Sequence, residues 1–278
     1  MQTHTIELDG AITFWSLGTT SRQMVADLFE RLSFGDLTPD YQSDRQALKA
    51  AMESIRSRHQ RVESLKSPKH HGYELVDIER GEDSNFHIHN FSARVDDTGR
   101  VEVRGGWYDR DKLQALWAEQ KAKLTPSSVS RALVSILGRL DAVVLRGGLY
   151  WVPSRELPRW SEVAEGIEAA GEQDKTRIHL ADTALTERTA RTLRDALVDE
   201  VVKASAEIQE RINVGNLDDV ALETQKVRAC RLRQRVGRYA EILGEWQQRL
   251  EAVIHLAEQS AVRAAILGMP SMVCGPSE

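Results

Sequence analysis

Cysteine is nearly missing from this chain. Two occur in 278 residues, Cys230 and Cys274, which excludes a disulfide framework or a cysteine-built zinc site. Long apolar runs are missing too, and nothing approaches the roughly 20 consecutive apolar residues that a membrane helix needs. The opening residues, Met1-Gln2-Thr3-His4-Thr5-Ile6-Glu7, lack the basic start and apolar core of a signal peptide. The expected compartment is the cytoplasm, with no membrane partner. No HExxH or GxSxG occurs. Gly105-Gly106 and Gly147-Gly148 lack the GxGxxG or GxxxxGK[ST] spacing that brings several amides to a phosphate. No catalytic residue and no cofactor can therefore be assigned. An excess of positive charge is also absent. Lys and Arg total 37 against 42 Asp and Glu, a formal charge of −5, so nucleic-acid binding would require a local basic patch.

What is present suits a folded protein. Hydrophobic residues make up 41% and charged residues 28%, and the length allows one large or two to three small domains with real cores. The dominant stretch runs from Asp218 to Leu267 and reads as one long helix. Tyr239, Leu243, Trp246, Leu250, Val253, Ala257, Ser260, Ala264 and Leu267 recur in alternating steps of four and three, a heptad seam that demands a helical partner. Upstream, Leu193, Leu197, Val201, Ala204, Ile208 and Ile212 share a face, and Val214-Gly215-Asn216 can turn the chain between the two. The expected result is an antiparallel helical hairpin of coiled-coil type. Tyr239, Leu243, Trp246, Leu250 and Val253 are its candidate interaction residues. Ile242 and Ile254 broaden the stripe, so a protein partner or a second copy could cover it. Periodicity alone leaves open whether the hairpin pairs within or between chains.

The remainder reads as α+β. Ala11 to Leu17 is rich in β-formers. Thr19, Thr20 or Ser21 can cap a helix carrying Met24, Val25, Leu28, Phe29 and Leu32, which Gly35 stops. Thr38-Pro39-Asp40 opens a second helix through Leu48, Ala51, Met52 and Ile55. Arg56 to Gly72 reads as a loop. Strands follow at Tyr73 to Glu79, Asn85 to Val95 and Arg100 to Arg104, with a turn at Asp96-Asp97-Thr98-Gly99 and a bulge near Asn90. A helix from Asp109 to Lys123 leads into another that starts at Thr125-Pro126-Ser127-Ser128 and buries Val129, Ala132, Leu133, Ile136, Leu137 and Leu140. Ala142 to Leu145 and Leu149 to Pro153 then form a ribbon around Gly147-Gly148. That order has the shape of a winged helix. After Pro158 a helix runs to about Ala170, and a strand spans Thr176 to Ala181. The expected segments are 1–124 (α+β with a small antiparallel sheet), 125–183 (winged-helix-like), 184–269 (hairpin) and a disordered tail, 270–278.

Three groups of residues are chemical candidates. Ser128, Arg131, Arg139 and Arg146 would face DNA from the winged-helix-like segment. Arg228, Arg231, Arg235 and Arg238 share a helix face at about 100° per residue and could follow a phosphate backbone. The same run passes Asp199, Glu200, Glu207 and Glu210 on the partner helix, so salt bridges account for it equally well. His87 and His89 point to one side of a strand, and His70 or His71 could complete a metal site, but no carboxylate cluster or metal motif accompanies them.

Two stretches carry a resemblance. Gly35-Asp36-Leu37-Thr38-Pro39 with Ala47-Leu48-Lys49-Ala50-Ala51, and Leu145-Arg146-Gly147-Gly148-Leu149-Tyr150-Trp151-Val152-Pro153 with Tyr239-Ala240-Glu241-Ile242-Leu243-Gly244 further on, resemble an uncharacterised group of bacterial, archaeal and phage proteins that carry a domain of unknown function. The resemblance implies a setting near phages or mobile elements and brings no catalytic residues. The expectation is a non-enzymatic, modular interaction protein that assembles through its helical hairpin. The alternatives are a nucleic-acid-binding accessory factor and a metal-dependent enzyme built on His87 and His89.

Overall fold

The computed structural model describes residues 9–65, 72–80, 85–106, 108–183, 186–213 and 219–268. The fold is helix-rich α+β. In chain order it contains β1 (Gly10–Ser16), β2 (Thr20–Ser21), α1 (Arg22–Arg31), α2 (Asp44–Ile55), β3 (Gln60–Ser64), β4 (Gly72–Arg80) and β5 (Asn85–Val95). Then come β6 (Val101–Arg104), α3 (Arg110–Lys121), β7 (Lys123–Leu124), α4 (Pro126–Arg139), β8 (Val143–Arg146), β9 (Leu149–Pro153) and α5 (Leu157–Ala170). Last are β10 (Arg177–Thr183), α6 (Glu187–Asn213), α7 (Asp219–Arg238), α8 (Ala240–Leu243) and α9 (Trp246–Gly268). These elements form two compact units. A helical unit takes residues 1–14, 138–157 and 180–278, and a mixed unit takes 15–137 and 158–179. The units interleave segments that look consecutive in the sequence.

The mixed unit holds the antiparallel sheet β3-β4-β5-β6. Helices α2 and α3 cover one face, burying Leu48, Met52, Leu113 and Trp117 against Leu75, Phe91 and Val101. Helix α2 starts at Ser43, whose side chain and that of Gln46 form a capping box, rather than at Thr38-Pro39. Strand β3, within the stretch read as a loop, pairs along its length with β4; its alternation is too polar to announce a strand. Leu75 pairs with Phe91 and Val76 with His89, so Asn90 is the extra bulge residue. Helix α5 belongs to this unit because it packs on α1. Gly166 lies so near Leu28 that a β-carbon would overlap it, and Arg159 Nη2 donates to the Leu32 carbonyl at 2.6 Å.

In the helical unit the strands form the sheet β10-β1-β9-β8. β9 is therefore an interior strand, flanked by β1 as well as by β8. The ribbon read as a wing carries a further strand, β1, on the other edge of β9. The stretch read as one long helix is broken. Helix α7 ends at Arg238, α8 makes a corner, and α9 returns along both α6 and α7. Gly244 makes the break, at φ 53° and ψ −125°, a region that side chains with a β-carbon avoid. The fold-back lets the chain cover its own heptad seam. Leu193, Leu197, Val201 and Ile208 of α6, Leu232 and Val236 of α7, and Leu250, Ile254, Ala257 and Ala261 of α9 build one buried core. The turn read at Val214-Gly215-Asn216 and the tail from 270 lie outside the described residues.

Candidate nucleic-acid interface

Helix α7 buries the stripe Leu222, Ala229, Leu232 and Val236, and this anchors its arginines in a fixed order. Arg228 Nη2 donates to Glu207 Oε2 at 2.6 Å. Arg235 Nη2 donates to Glu200 Oε2 at 3.0 Å and to the Ala142 carbonyl at 2.6 Å. Arg238 Nη1 pairs with Asp141 Oδ2 at 2.5 Å, and Arg155 Nη2 reaches the same oxygen at 3.3 Å. Arg231 is exposed and has no polar partner among the described residues. The salt bridges expected to Glu200 and Glu207 are thus present, and they hold two of the guanidinium planes in place.

Arg139, Arg228, Arg231, Arg235 and Arg238 line one cleft of about 460 Å³ with Asp141 and Glu200. With Glu207, which pairs with Arg228, counted beside Asp141 and Glu200, the five guanidinium groups still outnumber the carboxylates, and Arg forks match phosphate oxygens in pairs. Burial pushes the Glu200 carboxyl up, and Arg235 opposes that rise. The Arg228 hydrogen bond holds the exposed Glu207 carboxyl low. Burial pushes the Tyr239 phenol up to about 12, and its hydroxyl donates to the Asp141 carbonyl. Asp141 sits at φ 56°, in the left-handed region that Asp tolerates better than most residues. Sequence reading missed Asp141. The only signal was an Asp directly after a helix end.

The other candidates fall elsewhere. Ser128 and Arg131 line a separate cleft of about 500 Å³ in the mixed unit, beside Asp36, Thr38 and Gln42. Ser128 Oγ is engaged with the Thr125 carbonyl at 2.8 Å, and Arg131 Nε donates to the Ser127 carbonyl at 3.3 Å. Arg146 is exposed at the end of β8 and lines neither cleft. Of the interaction candidates, Tyr239, Leu243 and Leu250 are buried in the helical core, while Trp246 and Val253 are half-buried. The seam is therefore filled by α6 and α7 of the same chain.

His89 is exposed, with Nδ1 at 3.2 Å from Glu74 Oε2. The His87 side chain and all of His70 and His71 lie outside the described residues. Among the described residues, no group of three or more His, Cys, Asp or Glu is arranged to hold a metal ion, and no helix is long and apolar enough to cross a membrane.

The model of a family of unknown function (DUF6744) fits residues 10–267. No curated protein matches, and no solved structure matches.

Proposed function

The chain belongs to that family of unknown function, and we propose that it is a non-enzymatic binding protein whose arginine-lined cleft holds the phosphate backbone of a nucleic acid. The observation that carries this reading is the convergence of Arg139 with Arg228, Arg231, Arg235 and Arg238 on one cleft. Arg139 is about ninety residues upstream of the others, so no single charged helix face accounts for the grouping. The net charge of −5 supplies no general attraction to a polyanion, and a local patch has to do so. Ion pairs to Glu200, Glu207 and Asp141 keep three guanidinium groups oriented before a ligand arrives, which lowers the ordering cost of binding. The setting near phages or mobile elements that the sequence resemblance implies suits such an accessory factor, and so does a cytoplasmic location.

Fluorescence anisotropy of labelled single- and double-stranded oligonucleotides tests it. The Arg139→Ala/Arg231→Ala variant should lose roughly tenfold or more in affinity, from the charge-assisted hydrogen bonds removed. The Arg131→Ala variant, altered in the other cleft, should bind like the parent. The opposite ranking moves the site to the mixed unit and removes this reading.

A further inference from the structure

Helix α7 has a second face that the helical core does not use. Val220, Glu223, Thr224, Val227, Cys230, Arg231 and Gln234 are all exposed, in steps of three and four, opposite the buried stripe of Leu222, Ala229, Leu232 and Val236. Val220 is 76% exposed and Val227 is 43% exposed. Together with Thr224 they line an open trough along the helix, bordered by Glu223, Arg228 and Arg231. An apolar stripe at heptad spacing beside unlike charges is the sequence of a helix–helix seam.

The order of residues on this face points to its occupant. We propose that it pairs with the same face of a second copy of this chain, antiparallel about a two-fold axis through Val227. An isologous contact requires a patch complementary to itself. About Val227 the charged positions match: Glu223 falls level with Arg231 of the second copy and within reach of it, Thr224 is level with Cys230, and Val220 with Gln234. Each copy gives and receives the Glu223–Arg231 pair, so two such pairs flank a Val227–Val227 contact. Arg231 has no polar partner among the described residues. Among the described residues Glu223 has only a neighbour on its own helix, Lys226 at 3.5 Å, an exposed pair of the kind that contributes little. A parallel pairing would set Arg231 against Arg231 and Glu223 against Glu223. A foreign acidic helix would satisfy Arg228 and Arg231 but would face Glu223 with like charge. Self-pairing satisfies both signs. The contact is narrow, so the dimer is concentration-dependent rather than obligate.

Arg228 and Arg231 line both this trough and the arginine cleft, so pairing and nucleic acid compete for Arg231. Glu223, Thr224 and Val227 line the trough alone, and Glu223→Arg tests the pairing apart from the nucleic-acid reading. Cross-linking tests it in the full chain with Cys274→Ser. Cys230 is the exposed native thiol. In the proposed pairing it lies about 9 Å along the axis from its own copy, too far for a disulfide. Val227→Cys, with Cys230→Ser to prevent pairing within one helix, would place a thiol on the two-fold axis directly against that of its own copy. Mild oxidation should convert the Val227→Cys/Cys230→Ser/Cys274→Ser protein to covalent dimer, while the Cys274→Ser parent and a Lys203→Cys control on α6 should stay largely monomeric. Sedimentation gives an independent readout. Glu223→Arg should weaken the dimer at least several-fold, and Glu223→Arg/Arg231→Glu should restore it with the charges exchanged. A chain that is monomeric at every concentration, or a dimer unmoved by Glu223→Arg, overturns the proposal. So does equal cross-linking in the control.

Discussion

The Tyr239 hydroxyl donates to the backbone carbonyl of Asp141, tying the corner after α7 to the residue that leads into the β8–β9 hairpin. The Asp141 carboxylate takes Arg238 and Arg155. One residue therefore seats the corner through its backbone and fixes a rim arginine through its side chain. The cleft is lined from the end of α4, from α6 and from α7.

Alkaline stability reports on that phenol. Its pKa is raised from 10.0 to about 12 by burial, so the folded state holds the proton more tightly than the unfolded state does. The contribution is complete below pH 10 and is lost as pH rises from 10 towards 12. It amounts to on the order of 2–3 kcal/mol. Urea denaturation across this range should show the decline. Tyr239→Phe should remove this component and cost about 1 kcal/mol at neutral pH, from the lost hydrogen bond.

The arginines of α7 should separate by burial. The Arg235 side chain is 12% exposed and bonded to both Glu200 and Ala142. Arg235→Ala leaves a half-buried carboxylate and a carbonyl unpaired and should cost roughly 2–4 kcal/mol. Arg231→Ala, at an exposed position, should stay within about 0.5 kcal/mol of the parent. Chemical denaturation of the two variants compares them directly. Equal effects would mean that Arg235 is not held as described.

Two glycines in the same region should respond in opposite directions. Gly244→Ala forces a β-carbon into φ 53°, ψ −125°, and should destabilise by roughly 1–3 kcal/mol. Gly237 lies within α7 with nothing near a β-carbon, so Gly237→Ala should stabilise by roughly 0.5–1 kcal/mol. Thermal unfolding of both variants distinguishes a corner from a continuous helix.

Periodicity made the individual elements legible. The seam through Tyr239, Leu243 and Leu250 marked a face in need of a helical partner, and the Phe91 and Ala93 alternation placed β5 and its bulge at Asn90. Local signals could not say who supplies the partner. A seven-residue repeat looks the same in a continuous rod and in a helix that folds back on itself, and only the backbone freedom of Gly244 marks the difference. Strand β3 was invisible because Gln60, Arg61, Glu63 and Ser64 carry no apolar alternation. The interior position of β9 depends on β1, which lies far from it in sequence. The arginine run was visible from its spacing. Its convergence with Arg139 was not, since that contact rests on Asp141 turning the chain after α4.

Salt dependence tests the central claim most directly. Anisotropy of a labelled duplex, titrated with the unmodified protein at several salt concentrations, gives the slope of log affinity against log salt. Backbone contacts through the arginine cleft predict binding at low salt and a negative slope, steeper by roughly 0.7–0.9 for each phosphate neutralised, and shallower in the Arg139→Ala/Arg231→Ala variant. No binding at low salt, or a slope that both variant and parent share, would contradict the account.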